Sequence, residues 1–110
     1  MAQIVGTRSS SGDGTAVIAA PGAGLRNVIY YWRAQSEVDG DNTILLKSGS
    51  TTIGRVFVSS KGQGVLERMS SGPNEMDERI YCGANEAVYL NLSAALQVNY
   101  TIRYYVDGVR

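Results

Sequence analysis

The sequence predicts an all-β fold, a single-domain β-sandwich of about eight strands, and three observations support this prediction. Residues 96–107 alternate apolar and polar side chains over their whole length. Short apolar runs alternate with clusters of Gly, Ser, Asp and Asn along most of the chain. No segment has the apolar period of an amphipathic helix. With 110 residues, the chain is long enough for one domain with its own core.

The strand predicted at residues 96–107 has one apolar and one polar face, because successive side chains of a strand point to opposite sides of the sheet. The side chains that we expect in the core are Leu96, Val98, Tyr100, Ile102, Tyr104 and Val106. Tyr105 is the one large ring on the opposite face. The pattern favours a protein that binds or assembles over one that performs chemistry.

Clusters of turn residues divide the rest of the chain into further strands. We predict strands at residues 15–20, 25–37, 43–48, 51–60, 65–69, 79–82 and 87–93. In the second of these segments, the alternation is expected to place Tyr30 and Trp32 in the core. Gly49 begins a turn, and Gly54 indicates a bulge in the strand that follows.

Among sandwich folds, we favour a jelly roll, because the paired cysteines around a tryptophan that mark immunoglobulin-like domains are missing. Residues 15–110 are assigned to the β-sandwich domain. Residues 1–14 end in Ser-Ser-Ser-Gly-Asp-Gly and are interpreted as a flexible N-terminal arm. A first strand or a frayed end is the alternative for this segment.

The charge balance argues against two classes of partner. Ten basic and ten acidic residues cancel, so the chain has no net charge to attract nucleic acid or an anionic membrane. A neutral chain also has no charge repulsion that opposes self-association. The start of the chain lacks a signal-peptide pattern, and no apolar run has the length of a membrane span, so we expect a soluble protein made in the cytosol.

The residue types needed for most catalytic and metal sites are missing. The chain has no histidine, which excludes Ser-His-Asp, Cys-His and His-based metal sites. Cys82 is the only cysteine, and we predict a buried, unreactive thiol. Asp39 and Asp41 are interpreted as turn residues, since the rest of a calcium loop is absent. We therefore predict a protein that is not an enzyme, with no catalytic, cofactor-binding or metal-binding residues.

The seven tyrosines indicate a contact surface, because an exposed tyrosine offers a large contact area on docking. Tyr31, Tyr89 and Tyr105 lie on strand faces opposite to the predicted core. A subunit interface, the second inner surface of the sandwich and a sugar-binding platform are all consistent with them. Our candidate partner-contact residues are Ile4, Val5, Arg8, Tyr31, Tyr89 and Tyr105.

Two stretches resemble small β-sandwich virion proteins of tailed bacteriophages. One is Leu46-Lys-Ser-Gly-Ser-Thr-Thr-Ile-Gly, and the other is Gly83-Ala-Asn-Glu-Ala-Val-Tyr-Leu-Asn-Leu-Ser-Ala-Ala-Leu-Gln-Val-Asn-Tyr-Thr-Ile. In that group, a Ser-Gly turn in mid-chain is followed by Gly-Glu-Ala-Leu-Asn-Leu-Asn-Leu-Ser-Ala-Ala and a closing strand. This chain differs from the pattern at Asn85 and at Tyr89-Leu90.

The resemblance implies a non-enzymatic structural subunit without a cofactor, located on the capsid surface of the virion. The implied role is head decoration: a homotrimeric cement protein that binds the major capsid protein and stabilises the shell. The same type of sandwich also occurs in head fibres and tail tips. A module that binds host-surface carbohydrate or a receptor is therefore the alternative.

Overall fold

The computed structural model describes residues 2–68 and 79–108, and these residues form an all-β domain without helices. Within them, the strands are β1 (Ala2–Arg8), β2 (Leu25–Ser36), β3 (Asn42–Ser48), β4 (Thr51–Val58), β5 (Gly64–Arg68), β6 (Ile80–Tyr81), β7 (Val88–Leu92) and β8 (Val98–Gly108). All strand pairs among them are antiparallel. This part of the chain holds no helix that could span a membrane.

The strands form two sheets that enclose one core. The five-stranded sheet has the order β1–β8–β2–β5, and β6 also pairs with β2. The three-stranded sheet has the order β4–β3–β7. The prediction of an all-β domain with two antiparallel sheets is confirmed. The strand order had no counterpart in the sequence pattern, and the jelly-roll assignment stays a prediction.

The inner faces of both sheets bury alternate side chains. The core cluster consists of Ile18, Ile29, Trp32, Ala34, Ile44, Leu46, Val58, Cys82, Val88, Leu90, Leu92, Val98 and Ile102. Tyr100 and Tyr104 pack against this cluster, as predicted from the alternation in β8, but Val106, also expected in the core, is 49% exposed. Each fully buried large apolar side chain contributes about 1.5–3 kcal/mol, and a one-residue slip would expose all of those on a strand. The alternation therefore fixes the register of each strand.

Tyr30 does not lie in the core, and this prediction was wrong. Ile29 pairs with Tyr104 and Tyr31 pairs with Arg103, so Tyr30 is an extra residue in β2. This bulge changes the parity of the strand, because Ile29 before it and Trp32 after it both face the core. Tyr30 is left half-buried on the opposite face.

The hairpin of β3 and β4 has the predicted turn and the predicted bulge. Gly54 pairs with Leu46 and Thr52 pairs with Lys47, which leaves Ile53 as the extra residue. The ring of Trp32, from the other sheet, lies against Gly54. A Cβ atom at this position would be 2.8 Å from the Cζ2 atom of Trp32. The absence of a side chain at Gly54 thus lets the two sheets approach each other.

The N-terminal quarter of the chain differs most from the expectation. Ala2–Arg8 forms β1, which is the alternative to a flexible arm at residues 1–14. Residues 15–20, expected as a strand, make single bridges instead, such as that of Ile18 with Val88. Positive φ angles at Gly12 and Gly14 interrupt the extended backbone just before this segment. The segment therefore runs along the edge of β7 without a continuous ladder.

Candidate docking surfaces

The outer side of the five-stranded sheet is a broad polar surface, called the wide face below. It consists of three rows of cross-strand neighbours from β1, β8 and β2: Gln3, Arg103 and Tyr31; Val5, Thr101 and Arg33; and Thr7, Asn99 and Gln35. The rows arise because alternate residues of three paired strands point to the same side of a sheet. The same alternation directs their neighbours in the chain to the core.

The first row is held together by a stacked arginine. The guanidinium carbon of Arg103 lies 4.5 Å from the centre of the Tyr31 ring. Its Nε atom also donates a hydrogen bond of 2.7 Å to Oε1 of Gln3. A cation over an aromatic face is favourable even at an exposed site. Tyr31 is half-buried as a result, and Arg103 occupies one side of its ring.

The second and third rows surround an open depression of about 500 Å³. Val5 and Arg33 are exposed at its margin, and Val5 is 68% accessible. Thr7 Oγ1 donates a hydrogen bond of 3.0 Å to Oδ1 of Asn99. The Nδ2 group of Asn99 in turn donates a hydrogen bond to the Glu37 carboxylate. The depression is thus lined by residues of these two rows together with Gly6 and Tyr100.

Tyr105 lies further along β8 on the same side of the sheet. Its ring centre is 6.2 Å from that of Tyr30, and the two planes are tilted by 35°. Arg79 Nη1 donates a hydrogen bond of 3.0 Å to the hydroxyl of Tyr105. The bulge in β2 creates this pair, since a regular strand would have turned Tyr30 into the core.

The outer side of the three-stranded sheet, called the narrow face below, carries an exposed Phe57 among polar and half-buried side chains. The side chains on this face include Thr43, Leu45, Lys47, Arg55, Phe57, Tyr89 and Asn91. Phe57 is 61% exposed, and Leu45 and Tyr89 are half-buried. An exposed aromatic ring offers a large contact area to a partner.

Asp13 joins the narrow face to the segment that follows β1. Its carboxylate accepts hydrogen bonds from Asn91 Nδ2 at 2.7 Å and from Lys47 Nζ at 3.0 and 3.2 Å. The hydrogen bonding from Asn91, and next in size that from Lys47, lowers the pKa of Asp13. The carboxylate therefore stays ionised and holds residues 12–18 against β7.

The six candidate contact residues are not brought together. Val5, Tyr31 and Tyr105 are on the outer side of the five-stranded sheet, and Tyr89 is on the narrow face. The other two candidates point inward: Ile4 packs against the core, and Arg8 is buried. The guanidinium of Arg8 donates a hydrogen bond of 2.6 Å to the carbonyl of Gly12. Arg8 is therefore not available for contact without a rearrangement of β1, whereas Ile4 is only partly buried.

Phe57 is an exposed apolar residue that the sequence interpretation missed. It is the middle residue of Val56-Phe57-Val58, and three consecutive apolar residues do not show which one faces solvent. Its neighbour across the strands is Thr43, a polar residue at an outward position of β3. The regular alternation of β3 is the one sequence signal that would have indicated an exposed Phe57, because Phe57 pairs with the outward-facing Thr43.

The Cys82 thiol and the Ser48 hydroxyl, two potentially reactive groups, make contacts that stabilise the fold. Cys82 is buried, as predicted, and burial raises the pKa of its thiol, which keeps it in the weakly nucleophilic protonated form. Ser48 Oγ donates a hydrogen bond of 2.8 Å to Glu86 Oε1 and accepts one of 3.1 Å from the N–H of Gly83. These bonds tie the end of β3 to the loop before β7.

Asp39, one of the two acidic turn residues, also has a structural partner. Asp39 Oδ1 accepts a hydrogen bond of 2.8 Å from the N–H of Lys61, which links two turns. In residues 2–68 and 79–108, no group of three or more His, Cys, Asp or Glu side chains could hold a metal ion. The acidic cluster of Glu75, Asp77 and Glu78 lies outside the described residues.

Comparisons with known proteins identify no relative. No family model matches the chain, and no curated protein or solved structure matches it significantly.

Proposed function

We propose that this chain is a non-enzymatic structural subunit of a tailed-phage virion: a decoration (cement) protein that binds the major capsid shell and stabilises it. The resemblance of residues 46–54 and 83–102 to phage virion proteins supports the role. The first stretch spans the β3–β4 turn, and the second contains β7 and the first half of β8. Three of these strands make up the three-stranded sheet, which bears the narrow face.

The observation that carries the proposal is the exposed Phe57 on the narrow face. Phe57 shares this face with the half-buried Leu45, which lies diagonally opposite on β3, so a partner would cover both side chains. Their neighbours across the strands, Thr43 and Arg55, are polar. A hydrophobic centre within a polar rim is the usual arrangement of a protein interface. We assign the shell contact to the narrow face.

A small contact area suffices for a cement protein, because many copies act on one particle. When a copy binds across neighbouring shell subunits, its binding free energy stabilises the assembled shell against expansion and rupture. A homotrimer, which we also propose, would bind through three narrow faces at once and gain avidity. The subunit would then reside on the capsid surface of the virion.

The test is binding of the purified protein to expanded capsids of the phage that encodes it, prepared without their own copy of this chain. We expect saturable binding and a higher temperature of capsid rupture. Phe57→Lys should raise the dissociation constant at least about tenfold, since central aromatic residues dominate interface energies. Val106→Lys, at an exposed apolar position of β8, is the matched control and should bind like the parent.

Two results would contradict the proposal: no binding of the parent protein, or binding of Phe57→Lys as tight as that of the parent. Far-ultraviolet circular dichroism of each variant checks that the sheets are intact. The carbohydrate-binding alternative predicts glycan-dependent binding that Tyr31→Ala or Tyr105→Ala abolishes. Because Arg103 occupies one side of the Tyr31 ring, the geometry favours the cement role.

A further inference from the structure

The strand β1 is an edge strand with an open side. It pairs with β8 over seven consecutive residues without a register shift. Among the described residues, no strand pairs with β1 on its other side. Alternate N–H and C=O groups of an edge strand point away from the sheet and can pair with another chain.

This edge lacks the devices that protect other edges of the molecule. The edge of β7 is covered by residues 12–18, through bridges of Gly12 with Leu92 and Ile18 with Val88. The edge strand β4 contains a bulge at Ile53. Residues 2–7 of β1, in contrast, read Ala-Gln-Ile-Val-Gly-Thr, with no charge, no proline and no bulge. A flat, uncharged edge of this kind is a template for strand addition.

We propose that β1 pairs with β1 of a second copy of this chain, antiparallel and across a two-fold axis at Val5. The pairing joins the two five-stranded sheets into one continuous sheet. Two-fold pairing uses the same edge of both copies, so the contact closes and does not propagate into a fibre. No like charges face each other in residues 2–7, and the whole chain has no net charge to oppose association.

The side chains of β1 fit this pairing on both sides of the sheet. Val5 has the highest exposure of the large apolar residues in the described part of the chain, 68%, and it meets Val5 of the second copy. On the inner side, Ile4 lies opposite Gly6 of the second copy. The Tyr100 ring covers Gly6, where a Cβ atom would be 2.5 Å from the Tyr100 hydroxyl. Ile4 therefore meets an aromatic ring.

This contact is independent of the proposed shell contact. β1 belongs to the five-stranded sheet, whereas the narrow face belongs to the three-stranded sheet. A trimer bound to a shell would retain one β1 edge per copy.

Sedimentation equilibrium of the purified chain from about 1 μM to about 1 mM tests the pairing. We expect the mass of the species present at the lowest concentration to double as concentration rises. Val5→Lys should raise the dissociation constant of this step at least tenfold, because a lysine on an edge opposes strand addition. Phe57→Lys is the matched control, an exposed apolar residue on the other sheet, and should associate like the parent.

Amide hydrogen exchange locates the contact. Amides of Ala2–Arg8 should gain protection with concentration in the parent and in Phe57→Lys, but not in Val5→Lys. A mass that is independent of concentration, or equal association of Val5→Lys and the parent, would overturn the inference. Doubling of the mass without capsid binding would instead contradict only the proposed function.

Discussion

Among the described residues, Asp13 is a carboxylate whose contribution to stability is expected to depend on pH. Its pKa is lowered from 3.8 in the folded protein by the hydrogen bonds of Asn91 and Lys47. A carboxyl group with a lowered pKa stabilises the fold above its unfolded pKa, and this contribution is lost as the pH falls through the folded pKa. Asp13→Asn should therefore lower the free energy of unfolding at neutral pH but not in strong acid.

The expected loss at neutral pH is below about 1 kcal/mol, because Asp13 is partly exposed and ion pairs of this kind contribute little. Urea denaturation at neutral pH and below about pH 3 measures it. Asp41→Asn, at an exposed position, is the control for the change of charge. An equal loss of stability at both pH values would show that Asp13 acts without its charge.

At the residue scale, the sequence predicts core positions well where the period of a strand is unbroken. Val98, Ile102 and Tyr104 face the core as expected, whereas Val106, near the end of β8, is exposed because the core does not extend that far. Tyr30 was misplaced because a bulge has no signature in the run Ile-Tyr-Tyr-Trp, where every residue is apolar or aromatic. Alternation does not show which side chains face the core where the inward and outward positions of a strand hold the same type of residue.

At the element scale, the two hairpin strands β3 and β4 were predicted because a turn, a glycine and an alternation agree. The segment 15–20 has strand-like composition, but composition does not tell a paired strand from a strap that makes single bridges. The first residues were similarly ambiguous, since pairing of β1 depends on the distant β8. Local sequence cannot encode whether such a partner is within reach.

The strap formed by residues 12–18 is expected to be an integral part of the core. Ile18 is buried within the core cluster. The N–H of Val17 donates a hydrogen bond of 2.8 Å to the carbonyl of Val88. Ile18→Ala should lower the free energy of unfolding by about 2–5 kcal/mol, the usual cost of a cavity left by a buried isoleucine. Val38→Ala, at an exposed position, should change it by less than about 0.5 kcal/mol.

Thermal and urea denaturation of both variants provides the comparison. If Ile18→Ala were as stable as Val38→Ala, residues 12–18 would be a loosely held loop, and the Asp13 contacts would have little structural consequence.

At the scale of the whole molecule, the assignment of the contact residues to separate surfaces could not have come from the sequence. Tyr31 and Tyr89 look alike in their strands, yet they lie on different sheets because β2 and β7 do. The sequence predicts that both point away from the core. Which outer face each one occupies depends on strand order, which arises from long-range pairing.

The two sheets should unfold as one unit, and Trp32 is placed to report it. Trp32 is the only tryptophan, is 1% exposed, and adjoins Gly54 of the opposite sheet, so its fluorescence monitors contact between the sheets. Circular dichroism monitors the strands themselves. A single core shared by both sheets predicts that the two signals have the same urea midpoint, as in a two-state transition. A fluorescence change at a clearly lower urea concentration would mean that the sheets separate before they unfold. In that case the three-stranded sheet would not be held rigidly. The free energy of shell binding through the narrow face would then be reduced by the cost of ordering this sheet.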